Sequence, residues 1–550
     1  MLIRERIVYN AIFVSIIAVI IAAIVVGGLS YRRAKNAIYQ QVEDKLLVLR
    51  NIKTDQITNY LETISKQNVS FSNNLTVVQA LKDFSTTFPN YLIEYEAKAN
   101  NIEFKKDVIN LYLRSYAQNY AKLNGGLVFN VSKFLNYIDE TSFALQYNYI
   151  LKNPNPINEK DKLDFSNDGT SYSQKHKQHH ESLRKFKERF GLKDIILVDI
   201  DGNVVYTVNK EIDFTTSLVT GPYAFDAVGL VYKKAVNFSS TEDFLISDFA
   251  PHLPAYDMPA SFIASPVFDG EKKIGVLIFQ LDVSKINQIM TSNQDWDKIG
   301  LGNTGESYLI AKDNTMRSMS RFFLENSDDY FKQLKKAGYS SDQLAVMRAQ
   351  NTSIGIQAIN TKASSQLAEN KSGSGSYVDY RKQKVIGSYA PFRFNTLQWS
   401  VICEIDESEA LASIKQLSFK IKIYTLITIF GVSFIASIFA VGLSQQITSR
   451  ISSLSKIIDK LAKTQDLSQR IQIKTEDELK EMGDAINSLL NSLQNALKET
   501  VAIDRKSRKD RATNTSAKTP DSIDELSQRL DSLAEQFKFL EEEEDKKRDW

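Results

Sequence analysis

Two long apolar runs divide the chain, and they constrain its fold more than any other feature of the sequence. From Ile7 to Tyr31 no residue is charged, and isoleucine, valine and alanine dominate. The second apolar run extends from Ile423 to Leu443. About 20 apolar residues in a helix cross a hydrocarbon core of about 30 Å, so each run is long enough to span a membrane. The sequence therefore predicts transmembrane helices at 7–31 and 423–443.

Each run also has an alternative interpretation. The first could be a secretory signal, but a signal has an apolar region of only about 7–15 residues and a small-x-small cleavage site. Gly27, Gly28 and Leu29 do not supply that site cleanly, so we expect an uncleaved anchor. The second could be a buried core helix, but globular helices rarely keep every face apolar for about six turns.

Two spans place both chain ends on one side of the membrane and residues 32–422 on the other. The positive-inside rule does not decide which side is cytoplasmic, because basic residues flank both faces of the membrane. These residues are Arg4, Arg6, Arg32, Arg33, Lys35, Lys420, Lys422, Arg450, Lys456, Lys460 and Lys463.

Composition excludes some classes of protein. The chain has 550 residues, which predicts about three or four folding units. Its 68 basic and 66 acidic side chains give a formal net charge of +2, so we expect no nucleic-acid partner. The single cysteine, Cys403, excludes a disulfide within the chain and a cysteine-based zinc site.

The region between the spans changes from helical to strand periodicity. Apolar residues at helical spacing, without proline or glycine, predict a long helix over 34–72, and 90–190 also looks mostly helical. Asp194–Val208 then holds two apolar runs around Asp201-Gly202, which predicts a hairpin. Phe262–Val283 repeats this pattern around Asp269-Gly270.

A second cycle follows in the same order. Glu306–Met316 predicts a hairpin about Asp313-Asn314, and Gly375–Phe392 and Trp399–Ile405 predict three more strands. Two such cycles indicate an internal duplication. We expect an α+β fold with two modules, a membrane-distal one over about 75–292 and a membrane-proximal one over about 296–410. A curved antiparallel sheet leaves a concave face on which a small ligand can be buried.

These segments resemble double Cache sensor domains. The resemblance rests on Tyr172–Tyr223, Asp248–Phe268 and Ile274–Met290 for the distal half, and on Gly300–Phe322 for the start of the proximal half. It covers most of residues 34–410. It implies two PAS-like modules on a long helix outside the cytoplasmic membrane of a bacterium, with a ligand in the distal module. The candidate ligand contacts in or beside these segments are Tyr206, Lys210, Asp213, Tyr223 and Asp248.

Two heptad seams follow the second span. One extends from about Ser444 to Lys463 and the other from about Glu476 to Leu497, and each needs a partner helix to bury its stripe. Residues 444–497 resemble a HAMP domain, and the matching signature is EDELKEMGDAINSL at the start of the second helix. The resemblance implies a cytoplasmic parallel four-helix bundle in a dimer. Carboxylates at the start of the second helix are favoured by the helix dipole. The candidate relay residues are Ile451, Leu454, Asp477, Glu478, Leu479, Met482 and Ile486.

The C-terminal residues predict a linker and a helix. Residues 501–520 are charged and aperiodic, which is typical of a solvated linker. Over 521–550, apolar residues at heptad spacing predict a short coiled coil, and a helix that docks on the protein itself is the alternative.

No pattern in the sequence predicts catalysis, a metal site or a cofactor. His176, His179 and His180 have a spacing that could hold a metal, but the lysine-rich surroundings favour a solvated helix. Asp199, Asp201 and Asn203 lack the rest of a calcium loop, so a turn explains them better. The glycine-rich segment 300–305 lacks a phosphate-binding motif. After residue 443 we expect neither a kinase, cyclase or phosphatase core nor the methyl-accepting hairpin of chemotaxis receptors.

We therefore expect a receptor in the cytoplasmic membrane, with residues 32–422 periplasmic or extracellular, and not an enzyme. It would bind a small molecule outside, form a homodimer and act through a cytoplasmic output protein in trans. By this resemblance, the combination of a double Cache domain with a HAMP domain is of the kind found in chemotaxis receptors, sensor kinases and membrane cyclases. Two alternatives remain: the sensor subunit of a split cyclase, kinase or phosphatase, and a truncated chemotaxis receptor.

Overall fold

A computed structural model describes residues 3–96, 103–464, 467–473, 476, 478–513 and 525. The chain forms two compact units. The loop unit comprises Leu29–Phe419, and the terminal unit comprises Met1–Gly28 together with Lys420–Trp550.

One continuous helix, α1 (Ile3–Ser72), contains the first apolar run and the helix predicted over 34–72, which is confirmed. Its heptad-like apolar positions explain why it stays helical beyond Tyr31, because they form a stripe that the loop unit covers. The buried residues of this stripe are Leu46, Leu49, Ile57, Leu61 and Ile64.

Short helices connect α1 to the first strand, as the sequence predicted. Several begin at side-chain caps, since Asn74, Asp139 and Thr170 each accept a hydrogen bond from a backbone N–H of the first turn. The last helix ends at Gly191, whose left-handed φ of 64° is suited to a glycine. The α-helices are α2 (Leu75–Thr87), α3 (Tyr91–Glu96), α4 (Phe104–Asn110), α5 (Ala117–Leu123), α6 (Val131–Leu135), α7 (Glu140–Gln146) and α8 (Ser171–Phe190), with π-helical turns at Leu111–Tyr116 and Tyr147–Leu151 and a 3₁₀ turn at Ile157–Lys162.

The first sheet is antiparallel and has the strand order β2-β1-β7-β6-β3. Both predicted hairpins are confirmed, with turns at Asp201-Gly202 and Asp269-Gly270. A two-stranded ribbon, β4 with β5, follows the third strand. The elements are β1 (Asp194–Asp199), β2 (Val204–Thr207), α9 (Ala227–Ala235), β3 (Leu245–Ile246), β4 (Ala250–His252), β5 (Met258–Ala260), β6 (Phe262–Asp269), β7 (Lys272–Gln280) and α10 (Val283–Thr291), with 3₁₀ turns at Leu253–Ala255 and Ser292–Gln294.

The second sheet is also antiparallel, with the order β8-β11-β10-β9. The three strands predicted over 375–405 are confirmed. The predicted hairpin at Asp313-Asn314 has only a short second arm, in which Met316 lies opposite Ile310 and the N–H of Arg317 donates to the carbonyl of Leu309. The elements are β8 (Glu306–Ala311), α11 (Arg321–Glu325), α12 (Ser327–Ala337), α13 (Ser341–Gln350), α14 (Lys362–Ala368), β9 (Gly373–Val378), β10 (Lys384–Phe394), β11 (Leu397–Asp406) and α15 (Glu407–Ala410).

Two long helices follow the second sheet in the described part of the chain, α16 (Ala412–Thr464) and α17 (Glu478–Thr513). Helices α1 and α16 are each long and apolar enough to cross a membrane. The predicted linker at 501–520 is wrong in its first part, since α17 continues to Thr513. Residues 498–513 contain neither glycine nor proline and are rich in good helix formers, which explains the extension. The rest of that linker, and the predicted helix at 521–550 apart from Glu525, lie outside the described residues.

Candidate ligand-binding site

A cavity of about 410 Å³ lies beside the first sheet. The cavity is lined by residues that follow β2, by the β4–β5 ribbon, by the end of β7 and by the helices that precede β1. Its wall is partly apolar and carries charges of both signs. Among its lining residues are Leu111, Ser115, Tyr116, Asn158, Lys160, Asp161, Lys193, Asn209, Lys210, Glu211, Ile212, Tyr256, Met258, Gln280 and Asp282.

Lys210 is a predicted ligand contact that lies on this wall. Its backbone has a left-handed φ of 56°, and its side chain is 1% exposed. The ammonium donates to the carbonyl of Val208 over 3.1 Å and lies 3.4 Å from Nε2 of His180. That Nε2 is 2.6 Å from the carbonyl of Asp161, which can only accept, so Nε2 carries the hydrogen and has no lone pair for Lys210. The ammonium therefore keeps hydrogen-bonding capacity for a ligand.

The charge of Lys210 depends on its surroundings. Burial lowers its pKa to about 7, although the carboxylates of Asp194 and Asp161 act in the opposite direction. Near neutral pH the group is therefore close to its titration point, and an anionic ligand would favour its protonated form.

Tyr206, the second predicted contact, supports the wall and does not line the cavity. Its ring stacks on Phe84 at a centroid distance of 4.8 Å, and its hydroxyl lies 2.6 Å from Nδ1 of His180. Tyr206 therefore fixes the imidazole that lies beside the ammonium of Lys210.

Asp213 and Tyr223 lie close together in an aromatic cluster. Asp213 directly follows Ile212 of the cavity wall, and its charge raises the pKa of Tyr223 in addition to the effect of burial and of nearby tyrosines. Among the described residues, neither Oδ1 of Asp213 nor the hydroxyl of Tyr223 has a hydrogen-bond partner. The ring of Phe134 packs edge-on against Tyr223 at 5.6 Å. Burial raises the pKa of Asp213 well above its usual value, with further increases from Glu211 and Asp194.

Asp248 lies elsewhere. Its carboxylate accepts two hydrogen bonds from Arg317, at 2.8 and 2.9 Å, and one from Nε1 of Trp399 at 2.7 Å. These contacts link the loop after β3 to the second sheet. Of the five predicted contacts, Lys210 alone lines the cavity; Asp213 and Tyr223 are buried and do not line it, and Asp248 lies at a junction between the sheets.

The three histidines are buried, which corrects the expectation of a solvated helix. They occupy the same stripe of α8 as Tyr172 and Leu183, and this stripe packs against α2. His179 lies 2.7 Å from the carboxylate of Asp83, whereas burial, with the charge of Lys210, lowers the pKa of His180 to about 2. No group of three or more His, Cys, Asp or Glu side chains in the described part of the chain could hold a metal ion.

Several residues of the cavity wall were not predicted. Asn158, Lys160 and Asp161 come from a segment whose sequence has neither strand nor helix periodicity. Tyr116 comes from a helical region with several tyrosines, and the sequence does not distinguish the one that lines a cavity. Tyr256 and Asp257 form a turn at one edge of the cavity with positive φ at both residues, a conformation that is uncommon outside glycine and that the sequence does not reveal.

The candidate relay residues lie in the terminal unit. Leu454 is buried, Ile451 and Ile486 are half-buried, and Met482 is 44% exposed. Glu478 begins α17 and Leu479 follows it, whereas Asp477 lies outside the described residues.

The connector between α16 and α17 is held to α17 by side-chain hydrogen bonds, among them those of Asn487. The amide of Asn487 accepts from the N–H of Ile471 and donates to its carbonyl, both over 2.8 Å, while Ile471 itself is buried. Asn487 therefore ties an extended segment to the second helix of the predicted pair.

Two antiparallel sheets on one long helix, with a mixed-charge cavity beside the first, define an α+β sensor domain followed by a helical relay. The chain belongs to the Cache domain family, whose double form (dCache_1) matches residues 34–414. The HAMP domain matches residues 442–495. Neither of these two matches is to a catalytic domain. No curated protein matches the chain significantly.

Solved sensor domains are similar to part of the chain. The ligand-binding domain of the amino acid chemoreceptor PctB of Pseudomonas aeruginosa PAO1, solved with L-Arg, is 15% identical, with 57% of this chain and 94% of that chain covered and a TM-score of 0.26. The sensor domain of the V. cholerae histidine kinase DctB is 13% identical, with coverages of 54% and 98% and a TM-score of 0.27. The ligand-binding domain of the Pseudomonas fluorescens chemoreceptor CtaA, solved with L-serine, is 10% identical, with coverages of 55% and 99% and a TM-score of 0.24.

Proposed function

We propose that this chain is a homodimeric transmembrane receptor that binds a small molecule outside the cytoplasmic membrane. The message crosses through α1 and α16, and the HAMP domain passes it to a cytoplasmic output protein in trans. In this topology residues 32–422 are periplasmic or extracellular, and both chain ends are cytoplasmic. Family membership supports the general scheme, since a Cache domain lies between two apolar runs and a HAMP domain follows the second.

The observation that carries the ligand proposal is the ammonium of Lys210. It is buried on the wall of the 410 Å³ cavity and retains unused hydrogens, so it is suited to a carboxylate. The volume falls within the range of about 300–1,000 Å³ that small-molecule sites occupy.

A second group of atoms supports a positively charged end of the ligand. Asp213 and Tyr223 are buried and do not line the cavity, but Asp213 directly follows the wall residue Ile212. Together they offer an unpartnered carboxyl oxygen and hydroxyl beside aromatic rings, and both groups can accept hydrogen bonds from an ammonium. A ligand that carries both a carboxylate and an amine, such as a free amino acid, would satisfy both ends. Asp248 would then act as a link between the distal and proximal modules, and Tyr206 as a support for His180.

The dimer proposal rests on the apolar stripes of the HAMP segment. In a single chain Ile447, Ile458, Met482 and Leu489 are between 41% and 53% exposed. A second copy would cover these side chains in a four-helix bundle. Such a bundle can repack by small rotations, and a ligand shifts it by its differential affinity for the two packings.

The test uses the full chain in detergent or nanodiscs. Thermal unfolding and calorimetry are recorded against free amino acids, dicarboxylic acids and amines, since a ligand that binds only the folded state raises the midpoint. In Lys210→Met, which keeps the apolar stem, we expect the Kd for a confirmed ligand to rise at least about tenfold, as for a lost charged hydrogen bond.

The matched control is Lys234→Met, because Lys234 is exposed on α9 away from the cavity wall. It should leave the Kd unchanged. If Lys210→Met binds as tightly as the parent chain, the ligand does not use this cavity wall. If Asp213→Asn and Tyr223→Phe both leave an amine-containing ligand unaffected, the proposed ammonium site is wrong.

A further inference from the structure

A second cavity, of about 350 Å³, lies at the base of the loop unit and has no part in the ligand site. It is bounded by α1 on one side and by the end of the second sheet and the start of α16 on the other. Its wall combines ammonium groups, polar donors and apolar side chains. Among its lining residues are Tyr31, Lys35, Ser408, Leu411, Ile414 and Lys415.

The position of this cavity along the chain places it at the membrane surface. Tyr31 is the last residue of the first apolar run, and Lys35 follows it by four positions on α1, which is about 6 Å at 1.5 Å per residue. Lys415 precedes Ile423, the first residue of the second apolar run, by eight positions on α16, which is about 12 Å. Tyrosine is enriched at membrane–water interfaces, where its ring meets the headgroups.

The acidic residues of the cavity are already neutralised. Asp406 accepts from Nη2 of Arg381 over 2.6 Å, and Glu407 pairs with Lys384 over 3.0 Å and accepts from the hydroxyl of Ser376 over 2.7 Å. Although burial opposes it, the pKa of Glu407 is held below its usual value by these hydrogen bonds and by the charges of Lys384 and Lys35.

Among the described residues neither Lys35 nor Lys415 forms an ion pair within 4.0 Å, although the charge of Lys35 acts on Glu407 at longer range. Lys35 is half-buried and Lys415 is exposed at the mouth of the cavity. The hydroxyl of Ser408 lies at the same wall, and Leu411 and the buried Ile414 supply apolar surface. Two unpaired ammoniums and a hydroxyl next to apolar side chains suit a phosphate that is attached to an acyl chain.

We propose that this cavity binds the phosphate headgroup of an anionic phospholipid in the outer leaflet, with Lys35 and Lys415 as its cationic contacts. This rests on the proposed membrane topology. It also explains an anomaly of the sequence, in which basic residues flank the outer as well as the inner ends of both apolar runs.

The test uses the full chain in nanodiscs that contain spin-labelled phosphatidylglycerol or spin-labelled phosphatidylcholine. Electron paramagnetic resonance measures the fraction of each lipid that the protein restricts. For the parent chain we expect phosphatidylglycerol to be preferred about threefold, a modest selectivity because the cavity is partly open to solvent. In Lys35→Gln/Lys415→Gln the preference should fall to about one, and in the charge-matched control Lys332→Gln/Lys336→Gln, on α12, it should remain.

Addition of inorganic phosphate separates the two sources of the headgroup chemistry. If millimolar phosphate removes the preference, the site takes free phosphate and the lipid assignment is overturned. If the double variant keeps the preference, the site lies elsewhere and the proposal is wrong. If no lipid of either kind is restricted, the chain does not span the membrane, and the proposed function itself fails. Restricted lipid without any preference in the parent chain contradicts only the headgroup site.

Discussion

The guanidinium of Arg317 and the carboxylate of Asp248 form a two-pronged pair, with Nε and Nη2 donating to separate oxygens over 2.8 and 2.9 Å. The side chain of Arg317 is only 4% exposed and also donates to Asp313 over 3.0 Å. Asp248 comes from the loop after the third strand of the first sheet, and Arg317 follows the first strand of the second. This pair therefore couples the two halves of the loop unit.

Asp248→Asn should destabilise the loop unit, because it leaves the buried Arg317 with one carboxylate and replaces the oxygen that accepts from its Nη2 by an amide NH₂, which cannot accept a hydrogen bond. Asp248 is itself partly exposed, so we expect a loss of about 1–3 kcal/mol in the free energy of unfolding, measured with urea. Asp201→Asn, at an exposed turn position, serves as the control. Equal stability of the two variants would mean that the pair contributes nothing to the fold.

A second buried relationship predicts a pH dependence. Glu306 and Glu404 lie directly opposite each other on β8 and β11, and both are buried. Burial raises the pKa of Glu306 from 4.5 to about 7, despite the opposing charge of Arg381 and a hydrogen bond from Tyr380. A carboxyl that titrates higher in the folded state stabilises it fully below pH 4.5, and this contribution is lost as the pH rises through about 7.

Glu306→Gln should remove that contribution. The difference in unfolding free energy between the parent chain and the variant should be larger near pH 5 than near pH 8, in urea titrations at about these two pH values. Glu271→Gln, at an exposed turn, should give a difference that does not change with pH. A parallel pH profile for Glu306→Gln and the parent chain would contradict the raised pKa of Glu306.

Ligand binding should depend on pH through Lys210. Because the pKa of its free ammonium is about 7, binding of a carboxylate above that pH requires uptake of a proton. We expect the affinity to fall up to about tenfold per pH unit above 7, and to level off below it. Calorimetry in two buffers of different ionisation enthalpy measures the proton uptake, and in Lys210→Met the uptake should vanish. A proton uptake that persists in Lys210→Met would assign it to another group.

Gly202 should be much less tolerant of substitution than Gly270, although both end hairpin turns with a left-handed φ. At Gly202 a Cβ would meet Cγ2 of Val219 at 2.4 Å and Cε1 of Tyr232 at 3.2 Å, whereas at Gly270 it meets no atom within 4 Å. In each alanine variant the left-handed backbone lowers the free energy of unfolding by about 1–2 kcal/mol, and in Gly202→Ala the close contacts of the new Cβ lower it further. Thermal unfolding should therefore rank Gly202→Ala clearly below Gly270→Ala, and an equal loss would contradict the packing at this turn.

The proposed dimer predicts a crosslink at Met482. This side chain is 44% exposed on the predicted seam, so Met482→Cys should form a covalent dimer in native membranes under mild oxidation. Asp484→Cys lies about 200° around the same helix and should crosslink far less. The native Cys403 is buried and does not interfere. A monomer at both positions would contradict the four-helix bundle.

Local periodicity was enough to predict the elements of this fold. The apolar runs, the heptad seams and the hairpins at Asp201-Gly202 and Asp269-Gly270 follow from the chemistry of neighbouring residues, because helix and strand repeats and turn residues act over a few positions. The extension of α17 to Thr513 was missed because a charged segment can be helical without an apolar stripe to reveal it.

Which side chains contact each other became known from the folded chain. From the sequence alone, His176, His179 and His180 look solvated and Asp248 looks like a neighbour of Lys210, yet the histidines are buried and Asp248 pairs with Arg317, 69 positions away. The cavity wall likewise joins residues from inserted helices, strand ends and a ribbon. Such contacts depend on how the elements pack in space, and the order of the residues along the chain does not carry that information.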